Sequence, residues 1–233
     1  MPDGDRSLST LPQPFRGWFE GRGWQPHPHQ IDMLRAADPA TLLIAPTGAG
    51  KTLAGFLPSL VELVDGAGRG LHTLYVSPLK ALAADIRRNL STPIEEMGLA
   101  IRVEDRTGDT QQSARLRQRR DPPDILLTTP ESLALMLSWQ DAPTLFAGLR
   151  RVVVDEVHAL AGTKRGDQLA LGLARLGTLA PDRRLAALSA TVDAPGEIAD
   201  WLSPPYAAGQ ARCRTIFADP GPPPDITVMR DAG

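Results

Sequence analysis

The stretch "LLIAPTGAGKT", residues 42–52, decides the fold class of this 233-residue chain. It begins as a continuous apolar run of the kind that forms a strand buried on both faces, and apolar residues then recur from Leu53 at helical spacing. The loop between them carries Gly48 and Gly50, which let the backbone turn its N–H groups inward around an anion. A strand, a glycine-rich loop and a helix N-terminus in this order predict a phosphate-binding site.

The end of this loop has side chains suited to a nucleotide. Lys51 can reach the β- and γ-phosphates, and the Thr52 hydroxyl can contact Mg²⁺. The strict pattern G-x-x-x-x-G-K-[ST] begins with Gly, and Ala45 stands there, a small residue that departs mildly from it. A chance glycine-rich turn would leave the flanking strand and helix unexplained. We therefore expect the nucleotide, with Mg²⁺, to bind Thr47, Gly48, Ala49, Gly50, Lys51 and Thr52.

Composition sets few limits on the partner. The formal net charge is −2 and the pI is about 6.1, so any nucleic-acid contact must come from local patches. Cys213 is the single cysteine, which excludes an internal disulfide, and we expect no structural zinc. The N-terminal stretch is acidic and polar, and no apolar run has the length that a membrane requires. We expect a cytoplasmic protein without membrane contact.

Strand-like runs recur along the chain, and helical patterns separate several of them. After the phosphate loop, the runs are 72–77, 99–103, 124–129, 151–156 and 185–191. Such alternation predicts an α/β fold in which a mostly parallel β-sheet is covered by helices on both faces. Five strands, counting that of the phosphate loop, end in polar residues, and the carboxyl ends of parallel strands share one edge. The sequence thus predicts one functional edge of the sheet.

The run "VVVDEVH", residues 152–158, supplies further candidate catalytic residues beside Lys51. Asp155 emerges at the end of a buried strand and can hold the Mg²⁺ that Thr52 touches. Glu156 is placed to orient and polarise a water for attack on the γ-phosphate. An Asp-Glu pair at a strand end is by itself usually a solvated turn, but its pairing with a phosphate loop favours catalysis.

The motifs together resemble a known family. A-P-T-G-A-G-K-T, S-P-L-K-A-L, T-G-D, T-T-P-E-S-L, D-E-V-H and S-A-T occur in the order of the first motor domain of superfamily 2 helicases of the DEXH type, over residues 45–191. The stretches 15–30 and 164–176 look most like the Lhr-like helicases, specifically the bacterial ligase-associated DEXH-box DNA helicases. The resemblance implies a RecA-like fold, ATP as the nucleotide and a role in DNA repair.

The resemblance also implies roles for individual residues. Gln30 looks like the glutamine that reads the adenine edge, and an upstream aromatic residue either stacks near the base or staples the N-terminal helix, the candidates being Phe15, Trp18 and Trp24. One nucleic-acid strand, DNA in preference to RNA, is expected at Ser77, Pro78, Lys80, Gly108, Asp109, Thr129, Pro130 and Glu131. The groups that resemble the coupling elements between the two sites are His158, Ser189 and Thr191.

A basic run lies between two of these motifs. It could add phosphate contacts, but a solvated helix face is the preferred interpretation for Arg115, Arg117, Arg119 and Arg120.

The resemblance divides the chain into an aromatic N-terminal segment (1–30), a RecA-like helicase domain (31–218) and a Pro/Gly-rich linker or edge strand (219–233). Only 42 residues follow Thr191, so we expect the second RecA-like domain and its arginines in a longer parent chain, and weak or no turnover by this part alone. Two alternatives stay open. The chain is a complete nucleotide-gated module that recruits a partner, or, with weaker support, a P-loop kinase or GTPase.

Overall fold

The computed structural model describes residues 8–66, 70–190, 192–203 and 213–219. Thr191 and nearly all of the predicted linker, residues 219–233, lie outside these ranges. Within them, no helix combines the length and the apolar character that crossing a membrane requires.

Within the described ranges, seven strands form one sheet. In chain order they are β1 (Ala40–Ile44), β2 (Thr73–Val76), β3 (Val103–Arg106), β4 (Ile125–Thr128), β5 (Arg151–Val154), β6 (Arg184–Ser189) and β7 (Arg214–Phe217). Their order across the sheet is β3-β4-β2-β5-β6-β1-β7, and all the pairings are parallel. The expected parallel α/β sheet is confirmed.

Strand β1 shows why this sheet needs cover on both faces. Its residues are all buried, and successive side chains of a strand point to opposite faces. Leu42 and Ile44 therefore pack into the core on one face, and Leu43 packs into the core on the other. An unbroken apolar run is the sequence signature of such a strand.

Helices cover both faces. One face carries α1 (Gln13–Gly21), α2 (Pro28–Arg35), α3 (Lys51–Val64) and α4 (Lys80–Glu96). The opposite face carries α6 (Pro130–Leu137), α7 (Ala142–Phe146), α8 (Lys164–Leu179) and α9 (Pro195–Leu202). Helix α5 (Gln112–Arg120) follows the edge strand β3, and a short 3₁₀ turn (Val157–Ala159) follows β5. The predicted helical cover on both faces is confirmed.

Two strands differ from the sequence prediction. The apolar run 99–103 predicts a strand, but the strand begins only at Val103. Leu99 instead closes the end of α4, since its N–H donates to the Ile94 carbonyl (2.9 Å) beyond Gly98, whose φ is 64°. Strand β7 is an edge strand that lies just before the segment 219–233, where the sequence predicts a linker or an edge strand, and its four residues pair with β1.

Candidate functional site

The order of the strands divides the functional edge into two halves. The phosphate loop follows β1, the Asp-Glu pair follows β5 and Ser189 ends β6, and these three strands are neighbours in the sheet. The predicted nucleic-acid segments follow β2, β3 and β4, which are also neighbours. The two halves meet where β2 pairs with β5. Residues that are far apart in the chain are thereby gathered at one edge.

The phosphate loop joins β1 to α3 and has the backbone that its glycines permit. Gly48 and Gly50 have φ values of 84° and 73°, a region that side-chain-bearing residues rarely occupy. Gly50 immediately precedes the first residue of α3, Lys51, so the free N–H groups of the helix N-terminus follow the loop directly. Ala45 is fully buried, and its N–H donates to the Ser189 carbonyl (3.1 Å).

Helix α2 packs its N-terminal residues against this loop. The Gln30 side chain is buried; its amide oxygen accepts from the His27 N–H (2.9 Å), and its amide nitrogen donates to the Gly50 carbonyl (3.4 Å). An imidazole nitrogen of His29 lies 2.9 Å from the Ala49 carbonyl. A Cβ atom at Gly50 would lie 2.7 Å from the Gln30 amide nitrogen. Gln30 thus lies beside the loop, with its amide bonded to protein backbone.

The candidate catalytic side chains converge beyond the loop. The Lys51 ammonium nitrogen lies 3.9 Å from a carboxylate oxygen of Glu156. Glu156 has φ 46° and ψ 42°, and among the described residues it is the only non-glycine with a positive φ. Such a conformation costs about 1–3 kcal/mol, and strain of this kind clusters at functional sites. The backbone conformation of Glu156 is therefore consistent with a functional role for this residue.

Asp155 is buried and accepts two hydrogen bonds. Oδ1 accepts from the Glu156 N–H (2.8 Å), and Oδ2 accepts from the Tyr75 hydroxyl (2.6 Å). Burial, followed by the charge of Asp155, raises the pKa of Tyr75 far above its usual range, so the hydroxyl stays a donor. Sequence analysis did not identify Tyr75. The available signal was a tyrosine inside a buried strand, whose hydroxyl must find a partner.

A chain of polar contacts links this cluster to β6. His158 Nε2 lies 3.4 Å from a Glu156 carboxylate oxygen, and His158 Nδ1 lies 3.1 Å from the Ser189 hydroxyl. The Ser189 carbonyl accepts from Ala45 at the start of the phosphate loop. Two of the three predicted coupling residues are therefore in contact, and Thr191 lies outside the described residues.

The other half of the edge carries the predicted nucleic-acid residues. The Lys80 ammonium nitrogen donates to both carboxylate oxygens of Asp109 (3.1 and 3.3 Å) and lies beside Gly108. Thr129 caps α6 by accepting the Ser132 N–H (3.4 Å). The remaining members of the set belong to the turn after β2 or to the first turn of α6: Ser77, Pro78, Pro130 and Glu131.

The basic run lies in helix α5, and Arg115, Arg117 and Arg119 make contacts within the domain. Arg115 donates to the carbonyls of Thr107 and Gly108 (3.0 and 2.6 Å), and so stabilises the loop after β3 that carries the predicted nucleic-acid residues Gly108 and Asp109. Arg117 and Arg119 pair with carboxylates on other elements. The role of Arg115 depends on a tertiary contact that the sequence does not reveal.

The N-terminal aromatics separate by exposure. Phe15 is buried in the core, whereas Trp24 is 53% exposed. The Arg22 guanidinium lies over the rings of Trp18 and Trp24, 4.7 and 5.4 Å from their centroids. A cavity of about 400 Å³ is lined by both tryptophans, by Gly50 and Thr52 of the phosphate loop, and by α4.

This fold is that of a helicase motor domain. The DEAD/DEAH box helicase family matches residues 27–198, and the chain belongs to that family. More particularly, it is similar to Lhr helicases: it is 48% identical over 81% of its length to the Lhr helicase/probable uracil glycosylase of Mycolicibacterium smegmatis, and 41% identical over 82% to the ATP-dependent helicase Lhr-Core protein 2 of Thermococcus barophilus. The expected likeness to Lhr-like helicases is confirmed.

A solved structure shows the same likeness. Mycobacterium smegmatis helicase Lhr, bound to ssDNA and AMP-PNP, superposes with a TM-score of 0.82 at 43% identity, over 91% of this chain and 28% of that one. The chain spans 14% of the length of the first curated relative and 24% of the second. It corresponds to one part of much longer proteins.

Proposed function

We propose that this chain is the ATP-binding first motor domain of an ATP-dependent DNA helicase or translocase. The observation that carries the proposal is the convergence of Lys51, Asp155 and Glu156 beside the phosphate loop, on the same sheet edge as the predicted nucleic-acid segments. The known Lhr structure, which holds ssDNA and AMP-PNP, supports the same two ligands here.

Each residue of the proposed nucleotide site has its own role. The N–H groups of Thr47, Gly48, Ala49 and Gly50 would cradle the phosphates, and Lys51 would neutralise the β- and γ-phosphates. The Thr52 hydroxyl and the Asp155 carboxylate are hard oxygen donors that fit Mg²⁺, which when bound would offset phosphate charge. Glu156 would accept a hydrogen bond from the attacking water and so direct the water oxygen toward the γ-phosphate.

The adenine base fits the cavity between the N-terminal helices and α4. Gln30 lies at the loop, but its amide is engaged with backbone, so reading the adenine edge requires exchange of one of those bonds. Burial removes Phe15 from the candidates for stacking and leaves the tryptophans, of which Trp24 is the more exposed. We assign base stacking to Trp24.

The single strand would cross the other half of the edge. Hydroxyls, backbone N–H groups and one lysine contact phosphates without reading bases, so binding should be independent of sequence and should weaken with salt. Lys80 is now paired with Asp109, and a phosphate would compete for that ammonium. The surface consists of Ser77, Pro78, Lys80, Gly108, Asp109, Thr129, Pro130 and Glu131.

A second RecA-like domain in a longer chain would complete the catalytic site. Arginines from such a domain stabilise the transferring phosphoryl group, and their absence costs about 10³ to 10⁵ in rate. We therefore propose weak or no turnover by this chain alone, and a role in DNA repair for the parent protein.

Phosphate release from Mg-ATP, with and without single-stranded DNA, tests this function. Glu156→Gln is the catalytic variant, and Glu197→Gln, on the exposed face of α9, is the matched control. We expect all three proteins to bind ATP. We expect the wild type and Glu197→Gln to release phosphate at a rate close to that of Glu156→Gln. DNA-stimulated release that Glu156→Gln abolishes would show that one domain suffices and would overturn the need for a second. Preference for GTP over ATP in competition would favour a GTPase instead.

A further inference from the structure

Arg165, in the first turn of α8, joins two of the predicted nucleic-acid segments. Its Nε donates to a carboxylate oxygen of Glu131 (2.6 Å), and its second terminal nitrogen donates to the Pro78 carbonyl (2.8 Å). Pro78 follows β2 and Glu131 follows β4, and these strands are paired. One guanidinium therefore spans the ends of two adjacent strands.

The chemistry of arginine suits this bridge. A planar guanidinium presents several N–H donors in a fixed fork, so it can hold a carboxylate and a carbonyl at once. The hydrogen bond from Arg165 lowers the pKa of Glu131, against a smaller opposing effect of burial, and the same bond raises the pKa of Arg165. Both groups therefore stay charged at neutral pH.

The start of α8 is also fixed to the segment that follows Glu156. The Leu160 carbonyl accepts from both the N–H (3.0 Å) and the hydroxyl (2.7 Å) of Thr163, and that hydroxyl accepts the Gly166 N–H (3.1 Å). A Cβ atom at Gly166 would lie 2.0 Å from the Leu160 carbonyl oxygen, so only glycine permits this approach. Leu160 in turn bonds to Val157, next to Glu156.

These contacts form a continuous path from the nucleotide half of the edge to the nucleic-acid half. It runs from Glu156 through the 3₁₀ turn and Leu160 to the first turn of α8, and from Arg165 to Pro78 and Glu131. Direct contacts thus join the segment after Glu156 to both nucleic-acid segments.

We propose that Arg165 is a positioning residue that holds the segments after β2 and β4 at a fixed spacing and couples their grip on single-stranded DNA to the nucleotide site. This role rests on the proposed function, and it assigns a task to a residue outside the sets expected to touch either ligand. A single ammonium cannot replace the fork, so Arg165→Lys should break the bridge and retain the charge.

Arg102 offers a closely matched control. It also donates to a carboxylate (Asp121, 2.6 and 3.0 Å) and to a proline carbonyl (Pro122, 2.6 Å), but it precedes β3, at the opposite end of the strands. Arg102→Lys therefore removes the same chemistry away from the functional edge.

The first measurement is hydrogen exchange of the ligand-free chain. We expect amides of residues 79–82 and 131–134 to exchange faster in Arg165→Lys than in the wild type, and to be unchanged in Arg102→Lys. Equal exchange in Arg165→Lys and the wild type would overturn the bridging role, whatever ligands the chain binds.

The second measurement is the affinity for an oligo-dT strand, by fluorescence anisotropy, with and without AMP-PNP. We expect AMP-PNP to change the wild-type affinity by about 5-fold or more, and this ratio to fall toward one in Arg165→Lys but not in Arg102→Lys. A purely structural role would weaken both affinities and leave the ratio unchanged, which would overturn coupling. A wild-type chain that binds neither oligo-dT nor AMP-PNP would contradict the proposed function, and the exchange result would still decide the bridge.

Discussion

The hydroxyl of Tyr75 is the clearest single contact that supports the proposed catalytic residues. It donates to Asp155 from inside β2, and its ring stacks on Phe56 of α3 with centroids 5.2 Å apart. The contact fixes one oxygen of Asp155 and so orients the carboxylate, which is a hard oxygen donor of the kind that Mg²⁺ prefers.

Replacing Tyr75 by Phe should destabilise the fold by about 1.5–3 kcal/mol, because a buried carboxylate loses its donor while the ring remains. Urea unfolding measures the change. The control is Ser138→Ala, which removes an exposed hydroxyl bonded to the Leu135 carbonyl (2.7 Å) and should change stability by no more than about 0.5 kcal/mol. Equal stability of Tyr75→Phe and the wild type would show that the bond contributes nothing to the fold.

At the scale of elements, the packing of α8 depends on Gly166. Gly166→Ala should destabilise the fold by about 1–3 kcal/mol, because the new methyl group meets the Leu160 carbonyl and the helix must move. Gly17→Ala, in α1, meets nothing within 4 Å and should stabilise by about 0.5–1 kcal/mol, since alanine favours a helix. Thermal unfolding of both variants measures these changes. Equal changes in stability would contradict the close approach of Gly166 to the Leu160 carbonyl.

A second contact between a helix and a strand is an ion pair at the end of the sheet opposite to the functional edge. Glu62 of α3 accepts two hydrogen bonds from Arg151 of β5 (2.5 and 3.0 Å) and lies 3.3 Å from His72 Nε2. Burial raises the pKa of Glu62, but the close contact with His72 and the hydrogen bonds from Arg151 outweigh it and lower the pKa to about 2, from an ordinary value of 4.5.

Because the folded pKa of Glu62 is the lower one, its contribution to stability is complete above the unfolded pKa and is lost as the pH falls from about 4.5 to about 2. Glu62→Gln should therefore show a smaller loss of stability than the wild type over this window, and Glu197→Gln should follow the wild type. Parallel curves for Glu62→Gln and the wild type, from urea unfolding across this range, would contradict the assignment.

At the scale of the molecule, local sequence patterns predicted most of the fold, and sheet order supplied the rest. The phosphate loop, the Asp-Glu pair and the alternating strands are each encoded within a few residues, so periodicity and glycine placement reveal them. The contact of Tyr75 with Asp155 spans 80 positions in the chain, and the contact of Arg165 with Pro78 spans 87. They depend on which strands are neighbours, and periodicity carries no such information.

The proposed boundary at residue 30 is also a question of the whole molecule. Phe15 lies in the core with α3 and β1, so Phe15→Ala should cost about 3–5 kcal/mol and shift the entire unfolding transition. Circular dichroism and tryptophan fluorescence should then give one midpoint, and the exposed control Leu171→Ala should change stability by about 0.5 kcal/mol or less. Separate midpoints would show that the segment 1–30 unfolds independently.

If the loop at residues 45–52 binds ATP, as we propose, equilibrium titration with Mg-ATP measures that binding without any need for turnover. Isothermal titration of the wild type, of Lys51→Ala and of Lys164→Ala compares the loop lysine with an exposed lysine at the start of α8. We expect Lys51→Ala to weaken binding by about tenfold or more, since a charged hydrogen bond contributes about 1.5–3 kcal/mol and about 1.4 kcal/mol is a factor of ten, and we expect Lys164→Ala to bind like the wild type. Unchanged affinity in Lys51→Ala would contradict ATP binding by this loop.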